Sequence, residues 1–112
     1  ALGATLDRRC RTTGDYRLHL LPGTNPAKPG LVREAGFAGP GIELEVWALP
    51  ADAFGRFVAA IPAPLGIGKI SLSDGTAVSG FLCEKDAVTG AEEITTFGGW
   101  RAYMAAQREA AA

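Results

Sequence analysis

A short β-hairpin is the sequence feature that most limits the fold of this chain. Two runs with alternating apolar residues, 67–72 and 76–84, flank the turn sequence Ser73-Asp74-Gly75. This spacing predicts two antiparallel strands joined by a tight turn. The remaining segments are expected to pack around this hairpin.

The loop length sets which side chains share a face of the hairpin. A three-residue loop with Gly75 in the left-handed conformation pairs Ile70 with Val78 and collects the apolar side chains on one face. A two-residue loop would shift the register by one residue and mix the two faces. We therefore predict the three-residue loop, which places the carboxylate of Glu84 at the end of the apolar stripe.

Further short strands are predicted from period-two patterns earlier in the chain. They cover 16–21, 31–34 and 42–49, and a glycine or proline turn follows each of them. In the last of these strands, Glu43 and Glu45 are interpreted as a solvated face beside Trp47. Residues 1–13 have weak apolar periodicity and end in a polar cluster at 7–13, and the first few residues are interpreted as a frayed helix or a linker.

Two helices are predicted around these strands. The spacing of Phe54, Phe57, Val58 and Ile61 predicts a helix from 52 to about 60 whose apolar stripe faces the core. A second helix begins at Trp100, and its alanine-rich end, 105–112, is expected to fray. The predicted fold class is α+β and mostly β: a small β-barrel or strongly curled mixed sheet with about two short flanking helices, in one domain that spans residues 1–112.

Charge and composition exclude several classes of partner. The 11 basic and 12 acidic residues nearly balance and no basic run is present, so a nucleic-acid partner is not expected. No apolar stretch approaches the roughly 20 residues that cross a membrane. A single histidine and two cysteines, Cys10 and Cys83, favour a reduced, cytoplasmic protein with no metal and no cofactor.

Three positions carry candidate chemistry, and each has a structural alternative. Glu84 lies either in water at the strand end or inside the sheet, where burial would raise its pKa toward neutrality. His19 is either a catalytic or ligand residue or an ordinary hydrogen-bonded side chain. The corner Gly98-Gly99-Trp100-Arg101 either docks an anion on Arg101 or only permits a sharp turn.

The chain resembles the C-terminal domain of allophanate hydrolase in three stretches. They are DYRLHLLPGT at 15–24, EVWALPADAFGRFVAAIPAPLGIGKISLSDGTAVSGFLCE at 45–84 and TTFGGWRAY at 95–103. The resemblance implies a two-domain enzyme of urea breakdown, whose amidase half carries a Ser-Ser-Lys triad that this chain lacks. It also implies a γ-glutamylcyclotransferase-like fold for the C-terminal half, which is a small β-barrel with flanking helices.

The chain departs from the cyclotransferase pattern in two places. The catalytic glutamate of cyclotransferases follows the helix after the central strand, and here residues 59–62 are Ala-Ala-Ile-Pro, with no acid. Cyclotransferase activity is therefore not expected. The first strand of that fold and its glycine-bearing substrate loop are expected upstream of Ala1, so the chain is expected to lack them.

The resemblance implies that this domain assists decarboxylation of N-carboxycarbamate, the product of the amidase half. Such a step needs one positioned acid and a cation for the carboxylates. The candidate catalytic residues are Glu84, Tyr16 and His19, and the candidate substrate-binding residues are Lys69, Arg101 and Gly68. The expected partners are the amidase domain of the same polypeptide, a small anionic substrate and a second copy in a homodimer.

The alternative is a non-catalytic module that holds the domains or subunits of the same enzyme together. In that role Trp47, Trp100 and Tyr103 are packing or interface anchors. A cavity lined by Glu84 and a cation would favour the catalytic role, and a broad apolar outer patch would favour the module.

Overall fold

The computed structural model describes residues 3–111, which form an α+β fold made mostly of strands. In chain order the elements are β1 (Thr5–Arg11), β2 (Tyr16–Leu20), β3 (Pro29–Arg33), β4 (Glu43–Ala48), α1 (Ala51–Ala59), β5 (Leu65–Ser71), β6 (Ala77–Cys83) and α2 (Trp100–Ala111), with two 3-10 helices, Lys85–Val88 and Thr95–Phe97, before α2. The strands pair antiparallel as β1–β4, β2–β3 and β5–β6. The predicted fold class with two helices is confirmed, and within residues 3–111 the three two-stranded sheets do not close into a barrel.

The hairpin of β5 and β6 has the predicted register. Ile70 pairs with Val78, and the N–H of Leu72 donates to the carbonyl oxygen of Thr76 at 2.8 Å. Gly75 is left-handed, with φ of +89°, a conformation that glycine adopts without steric cost. The three-residue loop is therefore confirmed, and Ile70 and Leu72 are buried on the inner face of the hairpin.

The interpretation of the first few residues as a frayed helix or a linker is wrong from Thr5, where a strand begins that the sequence analysis did not predict. Residues 5–11 form β1, which pairs along the whole of β4. The period-two pattern is weak because its inward positions are Leu6, Arg8 and Cys10, of which only two are apolar. The register also shifts between Leu6 and Arg8, which is the irregularity of a β-bulge.

The other predicted strands and both helices are confirmed, with shifts of a few residues at their ends. The apolar stripe of α1 does not face the closed core as predicted. Phe54, Phe57 and Val58 are only half-buried, and Phe54 and Phe57 line an open groove. The expected fraying of the alanine-rich end is wrong up to Ala111, where α2 ends. Alanine has the highest helix propensity, which holds this segment helical although it is largely exposed. Residue 112 lies outside the described residues.

The main core lies between the three sheets and α2. Its buried members are Tyr16, Leu18, Ile42, Ile70, Leu72, Ile94 and Tyr103. A smaller cluster on the other face of β6 contains Leu21, Val32, Cys83 and Val88. No helix within residues 3–111 is long and apolar enough to cross a membrane.

The segment before α2 has no strand but is fastened to β2 by backbone hydrogen bonds. The N–H of Ile94 donates to the carbonyl oxygen of Leu18 at 2.7 Å, and the N–H of Leu20 donates to that of Glu92 at 2.9 Å. The N–H of Leu18 also donates to Oγ1 of Thr95 at 2.9 Å. These bonds bury Ile94 and Thr95 completely or nearly so.

Candidate functional site

Two open cavities lie along β4. The first, which we call the apolar groove, has a volume of about 670 Å³ and is lined by residues of β4, α1, β5 and β6, including Trp47, Phe57 and Phe81. The second, which we call the arginine groove, has a volume of about 650 Å³ and is lined by residues of β1, β4 and the start of α2. The two cavities share five lining residues, which are Glu43, Leu44, Glu45, Trp47 and Trp100.

The arginine groove collects three guanidinium groups around two carboxylates. Oε2 of Glu45 lies 3.4 Å from Nε of Arg9 and 3.1 Å from Nη2 of Arg101. Oε2 of Glu43 lies 3.9 Å from Nη2 of Arg11. The formal charge of these five groups is one unit positive, so the groove favours an anion.

The register of β1 and β4 builds most of this groove. Arg9 pairs with Glu45 and Arg11 pairs with Glu43, so the four charged side chains alternate on one face of the two strands. Trp47 continues that face, and its Nε1 donates to Oε1 of Glu45 at 3.3 Å.

The Gly98-Gly99 corner brings Arg101 to this face. Gly98 has φ of +89°, and its carbonyl oxygen accepts the N–H of Glu43 at 2.7 Å. A Cβ on Gly99 would lie 3.0 Å from Cβ of Glu43, so only glycine allows this approach without a shift. The corner therefore permits the sharp turn and places Arg101 in the groove, and the docking of an anion on Arg101 stays a prediction.

Tyr16 lies in the core and has no exposed surface. Its hydroxyl oxygen accepts the N–H of Ser71 at 2.9 Å. Tyr16 lines neither the apolar groove nor the arginine groove.

His19 lies on β2, where it forms a bridge with Glu93. Burial lowers the pKa of His19, the nearby Glu93 carboxylate raises it, and Arg17 lowers it further, so the net shift is downward. Nδ1 of His19 is buried and has no hydrogen-bond partner within the described part of the chain. Arg17 itself is held by Glu93 and Glu34, at 3.0 and 3.1 Å.

The remaining candidates lie on the hairpin. Lys69 is exposed, and its Nζ donates to Oγ of Ser79 at 3.1 Å. Glu84 is exposed at the end of β6, which is the first of its two alternatives, and it shares a shallow cavity of about 200 Å³ with Gly68. The residues that line this cavity within the described chain include no basic side chain.

The structure therefore does not gather the six candidate residues in one place. Arg101 alone lines the arginine groove, and Glu84 and Gly68 share the shallow cavity. Sequence analysis missed Arg9 and Arg11, because they lie in a polar cluster where no strand was predicted. The available signal was the alternation of Arg9 and Arg11, which matches that of Glu43 and Glu45.

Comparisons with known proteins agree with this architecture. The family model described as allophanate hydrolase C-terminal domain matches residues 1–105. The chain belongs to this family.

Other members of the allophanate hydrolase C-terminal domain family occur inside much longer proteins. The chain is similar to the urea amidolyases of Lachancea kluyveri and Saccharomyces cerevisiae, with 41% and 42% identity over 97 residues. The match covers 84% of this chain and 5% of each of those proteins, so the chain spans only a small part of these relatives.

Solved structures show the same fold in this family. SeMet-substituted Kluyveromyces lactis allophanate hydrolase is 42% identical with a TM-score of 0.86, over 92% of this chain and 17% of that chain. The protein c4763, described as specific to uropathogenic E. coli, is 36% identical with a TM-score of 0.80, over 93% of this chain and 79% of that chain.

Proposed function

We propose that this chain is the C-terminal accessory domain of an allophanate hydrolase and acts in urea degradation. Its specific role in this proposal is to speed the decarboxylation of N-carboxycarbamate, which the amidase domain of the same polypeptide releases. Membership of the allophanate hydrolase C-terminal domain family supports the enzyme context. The similarity to urea amidolyases supports the pathway.

The chemistry of this step sets what the domain must supply. N-carboxycarbamate carries two carboxylates on one nitrogen. One carbon–nitrogen bond breaks, its electron pair stays on nitrogen, nitrogen takes a proton and carbon dioxide leaves, so that carbamate remains. Cations that hold the two carboxylates near a proton source would help this reaction.

The arginine groove is the single observation that carries the catalytic part of the proposal. Its three guanidinium groups come from one strand, β1, and one helix, α2, and surround an open volume of about 650 Å³. Guanidinium groups bind carboxylates through charge-assisted hydrogen bonds. Arg101 keeps its predicted role as a substrate-binding residue. Solvent reaches the open groove and supplies the proton, so Glu84, Tyr16 and His19 have no step in this proposal.

Three further expectations belong to the same proposal. The three sheets leave the apolar groove open, which supports a first strand supplied from outside residues 3–111. The enzyme works in the cytoplasm, where the free thiols of Cys10 and Cys83 are stable. The amidase domain is the partner that supplies the substrate.

The test separates the two chemical steps. An isolated amidase domain of an allophanate hydrolase converts allophanate with and without this chain, and the first ammonia and the carbon dioxide are measured separately. The chain is expected to speed carbon dioxide release and leave the first ammonia unchanged. Arg101→Gln should reduce that acceleration by roughly tenfold, because a charged hydrogen bond to the substrate is lost.

Arg56→Gln is the matched control. Arg56 is an exposed arginine on α1 that pairs with Asp52 and lines neither groove. It should behave as the parent chain. Carbon dioxide that appears equally fast without the chain would remove the catalytic role.

The second candidate function is a non-catalytic module that holds the enzyme's domains or subunits together. The apolar groove favours this second function, because two large apolar side chains that line it are exposed: Trp47 by 47% and Phe81 by 41%. Under this hypothesis Trp47→Ser and Phe81→Ser weaken association with the amidase domain or with a second copy, measured by analytical ultracentrifugation. The catalytic hypothesis expects no such loss.

A further inference from the structure

Glu45 occupies a position in the arginine groove that suits the carboxylate of a ligand. Its Oε2 lies between Nε of Arg9, at 3.4 Å, and Nη2 of Arg101, at 3.1 Å. The two arginines come from different elements and meet at this oxygen. The side chain of Glu45 is only 20% exposed, whereas those of Arg9 and Arg101 are 69% and 80% exposed. The carboxylate thus lies deeper in the groove than the guanidinium groups.

These ion pairs are weak enough to exchange. Pairs whose arginine is this exposed contribute little to stability, because water screens their attraction. The groove beside Glu45 is open and large compared with a small carboxylate. A ligand carboxylate can therefore replace that of Glu45 between the two guanidinium groups at small cost.

Arg11 offers a second point of attachment. Its contact with Glu43, at 3.9 Å, is the longest ion pair in the groove, and its Nη1 donates to the carbonyl oxygen of Gly41 at 3.2 Å. Arg11 lies two residues from Arg9 on the same strand, which is about 7 Å along the strand. A guanidinium group has five donors, so Arg11 retains donors for a second carboxylate.

We propose that Glu45 is a built-in occupant of this carboxylate subsite, and that a small dicarboxylate binds the arginine groove by displacing it. One ligand carboxylate takes the place of Glu45 between Arg9 and Arg101, and the other pairs with Arg11. A ligand must therefore displace the carboxylate of Glu45 in order to bind. Monocarboxylates gain only one set of contacts, so they displace Glu45 less readily than dicarboxylates do. Only the identity of the natural ligand rests on the proposed function.

Malonate is the probe, because it matches N-carboxycarbamate in size and charge, with a methylene in place of the nitrogen. The affinity of the chain for malonate and for acetate is measured by isothermal titration calorimetry. Malonate is expected to bind with one site and more tightly than acetate. Arg101→Gln should weaken malonate binding by roughly tenfold.

The substitution that decides the proposal is Glu45→Gln. It keeps the size of the side chain and removes the competing charge, so malonate should bind about threefold or more tightly. Glu43→Gln removes the same charge from the groove but leaves Glu45 in the subsite, so a smaller gain in malonate affinity is expected. Asp52→Asn, on α1, controls for the change in net charge and should leave the malonate affinity unchanged. Circular dichroism and the thermal midpoint confirm that each variant is folded.

A spectroscopic signature follows from the indole of Trp47. Its Nε1 donates to Oε1 of Glu45 at 3.3 Å, so displacement of Glu45 breaks this bond. In proton–nitrogen spectra the indole signal of Trp47, assigned with Trp47→Phe, should shift as malonate is added. The Arg101→Gln variant should require more malonate for the same shift.

Several outcomes would overturn the proposal. An affinity that stays the same or falls in Glu45→Gln would show that Glu45 positions the arginines and does not compete with the ligand. Malonate binding that leaves the Trp47 indole signal unchanged would show that Glu45 is not displaced. The proposal also fails if malonate binds neither the parent chain nor the Glu45→Gln variant. If malonate displaces Glu45 but the chain does not speed carbon dioxide release, the proposed function fails and this inference stands. If the chain speeds that release but malonate does not bind, this inference fails alone.

Discussion

Tyr16 shows at the residue scale how a buried polar side chain supports the fold. Its phenol is fully buried, and its oxygen satisfies the N–H of Ser71 at the end of β5. A buried donor without an acceptor costs free energy, because it has lost its hydrogen bonds to water. The hydroxyl of Tyr16 therefore belongs to the fold.

Tyr16→Phe is expected to lower the free energy of unfolding by about 1–3 kcal/mol, because it leaves the N–H of Ser71 buried without an acceptor. Urea unfolding measures this loss. Tyr103→Phe is the matched control: Tyr103 is also buried, but its hydroxyl has no hydrogen bond within residues 3–111. A Tyr16→Phe variant as stable as the parent but slower in carbon dioxide release would instead identify Tyr16 as catalytic.

His19 makes stability depend on pH. Burial lowers its pKa in the folded chain, and Glu93 and Glu34 oppose this shift only in part, while Arg17 adds to it. In the unfolded chain histidine titrates near about 6.5. As the pH falls through this value, the unfolded chain takes up a proton first, so the free energy of unfolding decreases until the folded pKa is reached.

His19→Gln should remove this decrease, as measured by urea unfolding at several pH values between about 7.5 and 5. Because His19 is the only histidine, no other imidazole titrates in this range. The paired carboxylates of Asp15, Asp74 and Glu93 have lowered pKa values, so their contributions are lost only in more acidic solution. If the free energy of unfolding decreases equally in the parent chain and in His19→Gln over this pH range, this account is contradicted.

At the scale of elements, the hairpin was predictable because its information is local. The turn sequence fixes the loop, and the loop fixes every pair of β5 and β6. β1 was not predictable in the same way. A bulge interrupts its pattern and Arg8 occupies an inward position, so only its pairing with β4 reveals it as a strand.

The hairpin also explains why glycine occurs within its strands. A Cβ on Gly80 would lie 2.5 Å from Cδ1 of Ile70, so this buried side chain would have to shift. Gly80→Ala should therefore destabilise the chain by about 1–3 kcal/mol in urea unfolding, as overpacking does. Gly66→Ala on β5 is the control, since no atom lies within 4 Å of its added Cβ. Equal stability of the two variants would contradict the packing of this face.

At the scale of the whole molecule, the three sheets enclose a core, and the apolar groove opens onto that core at Leu18, Ile42 and Ile70. Sequence patterns predicted most strands and both helices, but not the grooves between them. Arg101 was predictable because its glycine corner is local. The contact of Arg101 with Glu45 beside Arg9 was not predictable, because this contact depends on the β1–β4 register and on the position of α2.

The open apolar groove should bind an apolar dye while the chain is folded. Fluorescence of anilinonaphthalene sulfonate is expected to fall roughly twofold in the Trp47→Ser, Phe81→Ser double variant, which removes two exposed aromatic groups from the groove. Phe97→Ser is the control, since Phe97 is exposed by 38% and lines neither groove. Dye binding that is equal in all three chains would show that the groove is not accessible.

The attachment of residues 92–95 to β2 has a consequence for proteolysis. This stretch lacks a strand, yet Leu18 and Leu20 hold its backbone, and Ile94 has no exposed surface. A protease needs several residues of extended, free backbone, so β2 must detach before cleavage can occur there. The exposed turns at 22–28 and 35–38 offer such backbone without unfolding. Brief digestion should therefore cut these turns first, and the backbone at residues 92–95 should stay intact.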